Sequence, residues 1–303
     1  MHNLPTFGIK LTDGVGKAGD LDQQKEKGGH LLSYLVLIEE KKLIHWLEHF
    51  YGYGSWNANF WFVAFEEGGG DMPEEVAEKF NYFFQTHTNR DAHLCNIRDM
   101  YRQVRVFWEG PKAELFGNRF EYRFGDAAIQ NNIWKNLIGF VHGFQKQRLP
   151  DTMDYQKRHF ASPSSQEAWI QLYPLPSPHG HAWYYNWLDL PDLDILRSRA
   201  RYEEHLYETR IQTILSKLKE HRPEIVMMYG MKNVNRLKKS IGDFFNKEKF
   251  VLSKVETKRV PQHHMATIDG TKLIITTQIP VLRHNRVETG FDWEEFGKRV
   301  REK

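Results

Sequence analysis

Six consecutive apolar residues, Phe60, Trp61, Phe62, Val63, Ala64 and Phe65, run straight into Glu66, Glu67, Gly68, Gly69 and Gly70. A segment that is apolar at every position, not at alternate ones, suits a strand covered on both faces, as in parallel sheets wrapped by helices. Three glycines after it make a turn that a ligand can approach closely, since no side chain stands in the way. Pro73, followed by Glu74 and Glu75, then opens a helix. This strand, acidic turn and helix already point to an α/β chain.

The rest of the sequence repeats the alternation. Leu31, Leu32, Leu35, Ile38, Leu43, Trp46, Leu47 and Phe50 recur at helical spacing, and the helix they predict stops at the Gly-containing stretch 51–54. Further helices are predicted over 128–145, 196–218, 236–245 and 293–300. Strands are predicted over 168–172, 225–229 and 272–277, with a hairpin-like pair over 250–260. Strands separated by helices imply a three-layer α/β/α fold with a central, mostly parallel sheet. Residues 1–29 lack periodicity and read as an irregular lead-in, leaving 30–303 as a single domain.

Composition sets outer limits. With 40% hydrophobic and 27% charged residues, the 303-residue chain can bury a sizeable core, which excludes disordered and collagen-like classes. The single cysteine, Cys95, excludes an intramolecular disulfide framework and an all-cysteine metal cluster, and a cytoplasmic location is the simplest expectation. No run reaches the ~18 apolar residues of a spanning helix, so no membrane partner is expected. Net charge is only +3, but residues 195–260 hold 16 Lys or Arg against 8 Asp or Glu. Such a segment is either a solvated basic helix face or a surface that tracks phosphates. The 9 Trp, 13 Tyr and 20 Phe either fill a core or stack on something flat.

Ligands of open α/β sheets bind beyond the carboxyl ends of the strands. Four segments end there: 66–70, 171–178, 229–231 and 278–286. None is a familiar nucleotide motif. The stretch from Gly14 to Lys17 lacks the hydroxyl residue and preceding strand of a phosphate-binding loop, and Gly68 to Gly70 are contiguous where a dinucleotide fingerprint needs spacing. The Glu-Glu-Gly run is similar to part of a Nudix box but lacks the preceding Arg-Glu pair. His179-Gly180-His181 and His263-His264 each offer at most two ligands, so neither a metal nor another cofactor is expected.

Taken in order, these loops resemble the uracil-DNA glycosylase superfamily, and more narrowly a bacterial branch with a Glu-Glu-Gly-Gly-Gly turn and a Pro-Leu-Pro-Ser-Pro segment. The resemblance covers residues 51–300. It rests on 61–70, the Trp134 helix, Tyr155-Gln156, 172–178, Arg201-Tyr202 with Arg210, 223–230 and 276–280. It implies a uracil-DNA glycosylase-like fold and a monofunctional DNA N-glycosylase, acting as a monomer on DNA. Such an enzyme flips a modified base from the stack and hydrolyses its glycosidic bond to leave an abasic site.

Roles follow residue by residue from that resemblance. Glu66 falls where the superfamily carries the Asp or Asn that positions the attacking water, and a carboxylate there can activate water and stabilise a cationic sugar. Glu67 stands in place of a proline and is the second catalytic candidate. Gly68 replaces the tyrosine that walls off 5-substituted bases, which implies entry of a bulkier base. Gln171 aligns with the asparagine that reads the flipped base, and its amide can also donate and accept. Phe65 and Tyr173 complete the expected base pocket, and Trp183, Tyr184, Tyr185 and Trp187 either stack on bases or pack under the loop.

The last motif departs most from the pattern. Ile279-Pro280-Val281 replaces His-Pro-Ser, so the histidine that stabilises the departing base is missing. Gln278, Arg283, His284 and Asn285 are nearby donors, and Leu282 or Arg283 aligns with the side chain that wedges into the stack. Plainer readings stay open, with the two glutamates neutralising a helix start, Gln171 capping a strand, Leu282 in the core and Arg283 on a phosphate. The expected substrate is a bulky 5-substituted pyrimidine such as glucosylated 5-hydroxymethylcytosine in phage DNA, which implies antiviral defence. The alternatives are uracil or deaminated-base repair, an inactive nucleic-acid-binding module of the same fold and, more distantly, a nucleoside or nucleotide hydrolase.

Overall fold

The computed structural model describes residues 38–70, 72–106, 112–179, 183–188, 190, 193–246, 249–253, 259–281 and 290–303. Among them, eight strands form one sheet: β1 (Phe50–Tyr53), β2 (Phe60–Glu66), β3 (His93–Cys95), β4 (Glu167–Tyr173), β5 (Ile225–Tyr229), β6 (Val251–Ser253), β7 (His263–Ile268) and β8 (Thr271–Ile275). Their order is β3-β1-β4-β2-β5-β8-β7-β6. The apolar run is therefore central, with a parallel neighbour on each side. β4, β2, β5 and β8 are mutually parallel, whereas β1 runs against β4 and the β6-β7-β8 flank is antiparallel. The sheet is mixed and mostly parallel, as expected for an α/β chain.

Ten α-helices accompany it among the described residues: α1 (Glu40–His49), α2 (Pro73–Thr86), α3 (Ile97–Gln103), α4 (Ala113–Gly117), α5 (Arg119–Phe124), α6 (Asn132–Gln145), α7 (Thr152–Arg158), α8 (Arg199–His221), α9 (Val234–Phe245) and α10 (Trp293–Glu302). Side chains alternate across β2 and meet different layers. Phe60 and Phe62 pack edge-on against Phe144 and Phe140 of α6, while Trp61 faces Trp56 and His221 at the end of α8. On the α8 side, the buried Arg210 guanidinium donates to the carbonyls of Phe50, Gln171 and Leu172, binding the helix to β1 and β4. On the other side, α6 and α10 touch backbone to backbone. A Cβ at Gly143 would lie 2.0 Å from the Glu294 carbonyl oxygen, and one at Gly297 would lie 2.1 Å from that of Phe140.

Several boundaries differ from the sequence expectations. The first helix ends at His49, and Phe50 opens β1 with its ring stacked on Trp46 at 3.7 Å. Gly52, expected to be a helix stop, instead lets β1 press against β4, since a Cβ there would stand 2.2 Å from the Trp169 carbonyl oxygen. The hairpin expected over 250–260 is misplaced. β6 pairs with β7, and the tight turn joins β7 to β8 through Asp269 and Gly270, both at positive φ. That Asp-Gly pair is a hairpin signal legible in the sequence. The helix expected from 128 begins at Asn132, where the Asn131 side chain accepts from the amides of Ile133 and Trp134. The strand expected to reach 277 ends at Ile275, and α3, α4, α5 and α7 were not anticipated. Residues 1–29 and the first helical positions from Leu31 lie outside the described residues.

Candidate functional site at the carboxyl edge of the sheet

Register brings three strand ends level: Ala64 pairs with Gln171 on one side and Tyr229 on the other, and Glu66 stands opposite Tyr173. The turn after β2 leans on the Pro-rich loop after β4. The Ser177 amide donates to the Glu67 carbonyl at 2.9 Å, and Gly70, at φ +77, approaches so closely that a Cβ would lie 2.6 Å from the Pro176 carbonyl oxygen. Gly68 behaves differently: it is exposed, and among the described residues no heavy atom beyond its chain neighbours lies within 4 Å of a Cβ placed there.

The two glutamates of the turn occupy unlike surroundings. Glu67 is buried, with Lys79 Nζ and Tyr101 Oη each donating to Oε1 at 2.9 Å and Tyr53 Oη donating to Oε2 at 3.0 Å. Lys79 also meets Glu75 at 3.1 Å, and Glu75 meets Arg119 at 2.9 Å, so a chain of alternating charges runs behind the turn. Burial disfavours the Lys79 ammonium, but the Glu67 and Glu75 carboxylates outweigh it and raise its pKa. The Tyr101 and Tyr53 hydroxyls are pushed up by burial and by the Glu67 carboxylate. Buried charges of this kind persist only where pairing is complete.

Glu66 sits at the rim and is half-buried. Its Oε2 pairs with Arg199 Nη1 at 2.5 Å, while Arg199 Nη2 donates to Ser177 Oγ at 2.6 Å. Burial pushes the Glu66 carboxyl above its ordinary value against the pull of Arg199 and Lys232. Phe65 packs on Tyr173, their ring centroids 4.8 Å apart, and carries Lys232 Nζ 4.2 Å from its centroid. Lys232 also pairs with Glu203 at 2.9 Å.

Gln171 is fully buried, and neither its amide nitrogen nor its amide oxygen has a hydrogen-bond partner. Two residues earlier on the same face of β4, Trp169 Nε1 donates to Tyr229 Oη at 2.7 Å. An enclosed primary amide without partners carries the full desolvation cost of its polar atoms.

The remaining expected residues divide. Trp183 and Tyr185 pack under the loop, donating to the carbonyls of Leu196 and Pro176. Tyr184 is half-buried. The side chain of Trp187 lies outside the described residues. The Gln278 carbonyl accepts from the Gly230 amide at 3.2 Å, which holds the loops after β5 and β8 together. Ile279 is 50% exposed beside Gly230. Leu282, Arg283, His284 and Asn285 lie outside the described residues. Much of the basic segment is tied up in ion pairs, including Arg201 with Asp194, Lys217 with Glu220, Arg236 with Glu204 and Lys239 with Asp243.

Three participants escaped the sequence reading: Lys79, Arg199 and Lys232. Lys79 left a faint signal in its four-residue spacing from Glu75 on α2. Arg199 left a similar one in its four-residue spacing from Glu203 on α8, whereas Lys232 left none, because Glu203 and Phe65 come from distant elements. Among the described residues no group of three or more His, Cys, Asp or Glu side chains is placed to hold a metal ion, and no helix is long and apolar enough to cross a membrane. Comparison of the chain with family models, with curated proteins and with solved structures gives no match.

Proposed function

We propose that this chain is a DNA glycosylase of uracil-DNA glycosylase-like fold that hydrolyses the N-glycosidic bond of a flipped, bulky 5-substituted pyrimidine. The buried, unpartnered amide of Gln171 carries the reading, since the residue pairs with Ala64, two residues before the end of β2, and its amide can both donate and accept. The edge of a nucleobase does the same. Glu66, half-buried with its carboxyl pushed upward by burial, is the general base for water, and Phe65 offers a ring face to the base. Arg199 keeps the Glu66 carboxylate oriented. Open space at Gly68 accommodates a substituent at position 5 of the ring. The starts of α2, α8 and α9 follow or meet these loops, and helix starts favour phosphate oxygens.

Phage DNA carrying glucosylated 5-hydroxymethylcytosine, uracil-containing DNA and plain DNA, each incubated with the protein and assayed for abasic sites, test the proposal. Abasic sites in the glucosylated DNA alone are expected, consistent with a role in antiviral defence. Release from uracil DNA alone would move the function to base repair. DNA binding without release from any of the three would leave an inactive binding module.

A further inference from the structure

We infer that Lys232 is the catalytic cation that takes up the negative charge appearing on the departing base. The inference rests on the glycosylase reading above. When the glycosidic bond breaks, its electron pair goes to the base nitrogen. Water oxygen bonds to C1′, and the proton that water sheds through Glu66 ends on the released base. Negative charge therefore grows on the base during the step, and a fixed positive charge beside it lowers the barrier.

Two described cations face the Phe65-Glu66 end of β2. Arg199 is committed, with Nη1 on Glu66 Oε2 and Nη2 on Ser177 Oγ. Lys232 is placed differently, its ammonium standing over the Phe65 ring where a flat base would stack, with a side chain 47% exposed and an ion pair to Glu203 at 2.9 Å. Glu203 does not neutralise it fully, because the same Oε1 also faces Arg199 at 3.7 Å. Ile279, on the described part of the loop after β8, is apolar and packs on Gly230. A base that slides onto Phe65 thus meets Lys232 at the moment its charge develops.

The rival role for an exposed lysine at the rim is a phosphate contact, and the two separate cleanly. The full-length protein, Lys232→Met and Lys232→Arg are compared on a duplex oligonucleotide with one glucosylated 5-hydroxymethylcytosine, using single-turnover release at saturating protein and DNA affinity across salt concentrations. The inference expects Lys232→Met to slow release about 100-fold or more with affinity and salt slope unchanged, and Lys232→Arg to keep most of the rate. An unchanged saturating rate, with weaker binding and a salt slope flatter by about one, would overturn it in favour of a phosphate contact. Absence of release by the unmodified protein would sink the glycosylase reading itself, a distinct result that removes the inference with it. Unchanged thermal midpoints exclude misfolding.

Discussion

Glu66 and Glu67 are consecutive in the chain, yet Glu66 Oε2 meets Arg199 at the rim of the sheet while the Glu67 carboxylate is enclosed by Lys79, Tyr53 and Tyr101. The first stands where a ligand at the rim can reach it, and the second is tied into the body of the turn. Their substitutions should therefore fail in different ways.

Glu66→Gln should abolish base release and spare DNA binding, as read by an abasic-site assay beside an affinity measurement. A base must be ionised to act, and burial holds the Glu66 pKa above the usual glutamate value of about 4.3. The rate should fall as pH drops through that raised value. Arg199→Gln removes a group that lowers the pKa, so the acid limb of the rate profile should move to higher pH. A limb that stays in place would assign the base elsewhere.

Lys79→Met should destabilise the fold by about 3–5 kcal/mol in urea unfolding, because it leaves Glu67 and Glu75 buried without their shared cation. Adding Glu67→Gln should recover part of the loss. If the double variant is no more stable than the single one, the charge network is not what fixes the turn.

The glycines of the turn should respond oppositely. Gly68→Tyr projects into open space and should fold normally while, on the proposed glycosylase function, slowing release of a glucosylated base at least ~100-fold by walling off its substituent. Gly70→Ala meets the Pro176 carbonyl from a left-handed backbone and should cost about 1–3 kcal/mol of stability. Equal melting temperatures for the two would contradict the packing of the turn.

Glu167 offers a pH test remote from the site. It is fully buried at the start of β4, accepts from Tyr155 Oη at 2.6 Å, and its pKa is pushed up to about 7 by burial. The fold thus favours the protonated acid. That contribution is complete below the unfolded value near 4.5 and is lost as pH rises through about 7. Glu167→Gln should raise stability at pH 8 by about 1–3 kcal/mol and change it little near pH 5. Denaturant midpoints at both pH values decide the matter.

Much of the scaffold was legible in the chain. Phe60 to Phe65, the proline at the start of α2 and the long α8 each carry a local signal that tertiary packing does not override. β1 and β3 were not legible, for they have 4 and 3 residues and take their stability from pairing rather than from pattern. At the site, Gly68, Glu66 and Gln171 could be placed in order from the sequence. What local pattern could not show is how differently Glu66 and Glu67 are surrounded, because Tyr101 and Arg199 arrive from distant segments and Lys79 from the helix that follows. The aromatic question divided likewise: Trp183 and Tyr185 pack under their loop, while the Phe65 ring meets Tyr173 and Lys232.

The central position of β2 has a consequence for how the protein is made. Its flanking strands are β4 and β5, whose residues follow it by about a hundred and by well over a hundred positions. During synthesis the Glu66 turn emerges well before the two strands that flank it. A nascent chain that has not yet reached Tyr229 carries β2 with one side unpaired, so the loops at the carboxyl edge come together only once β5 has been added.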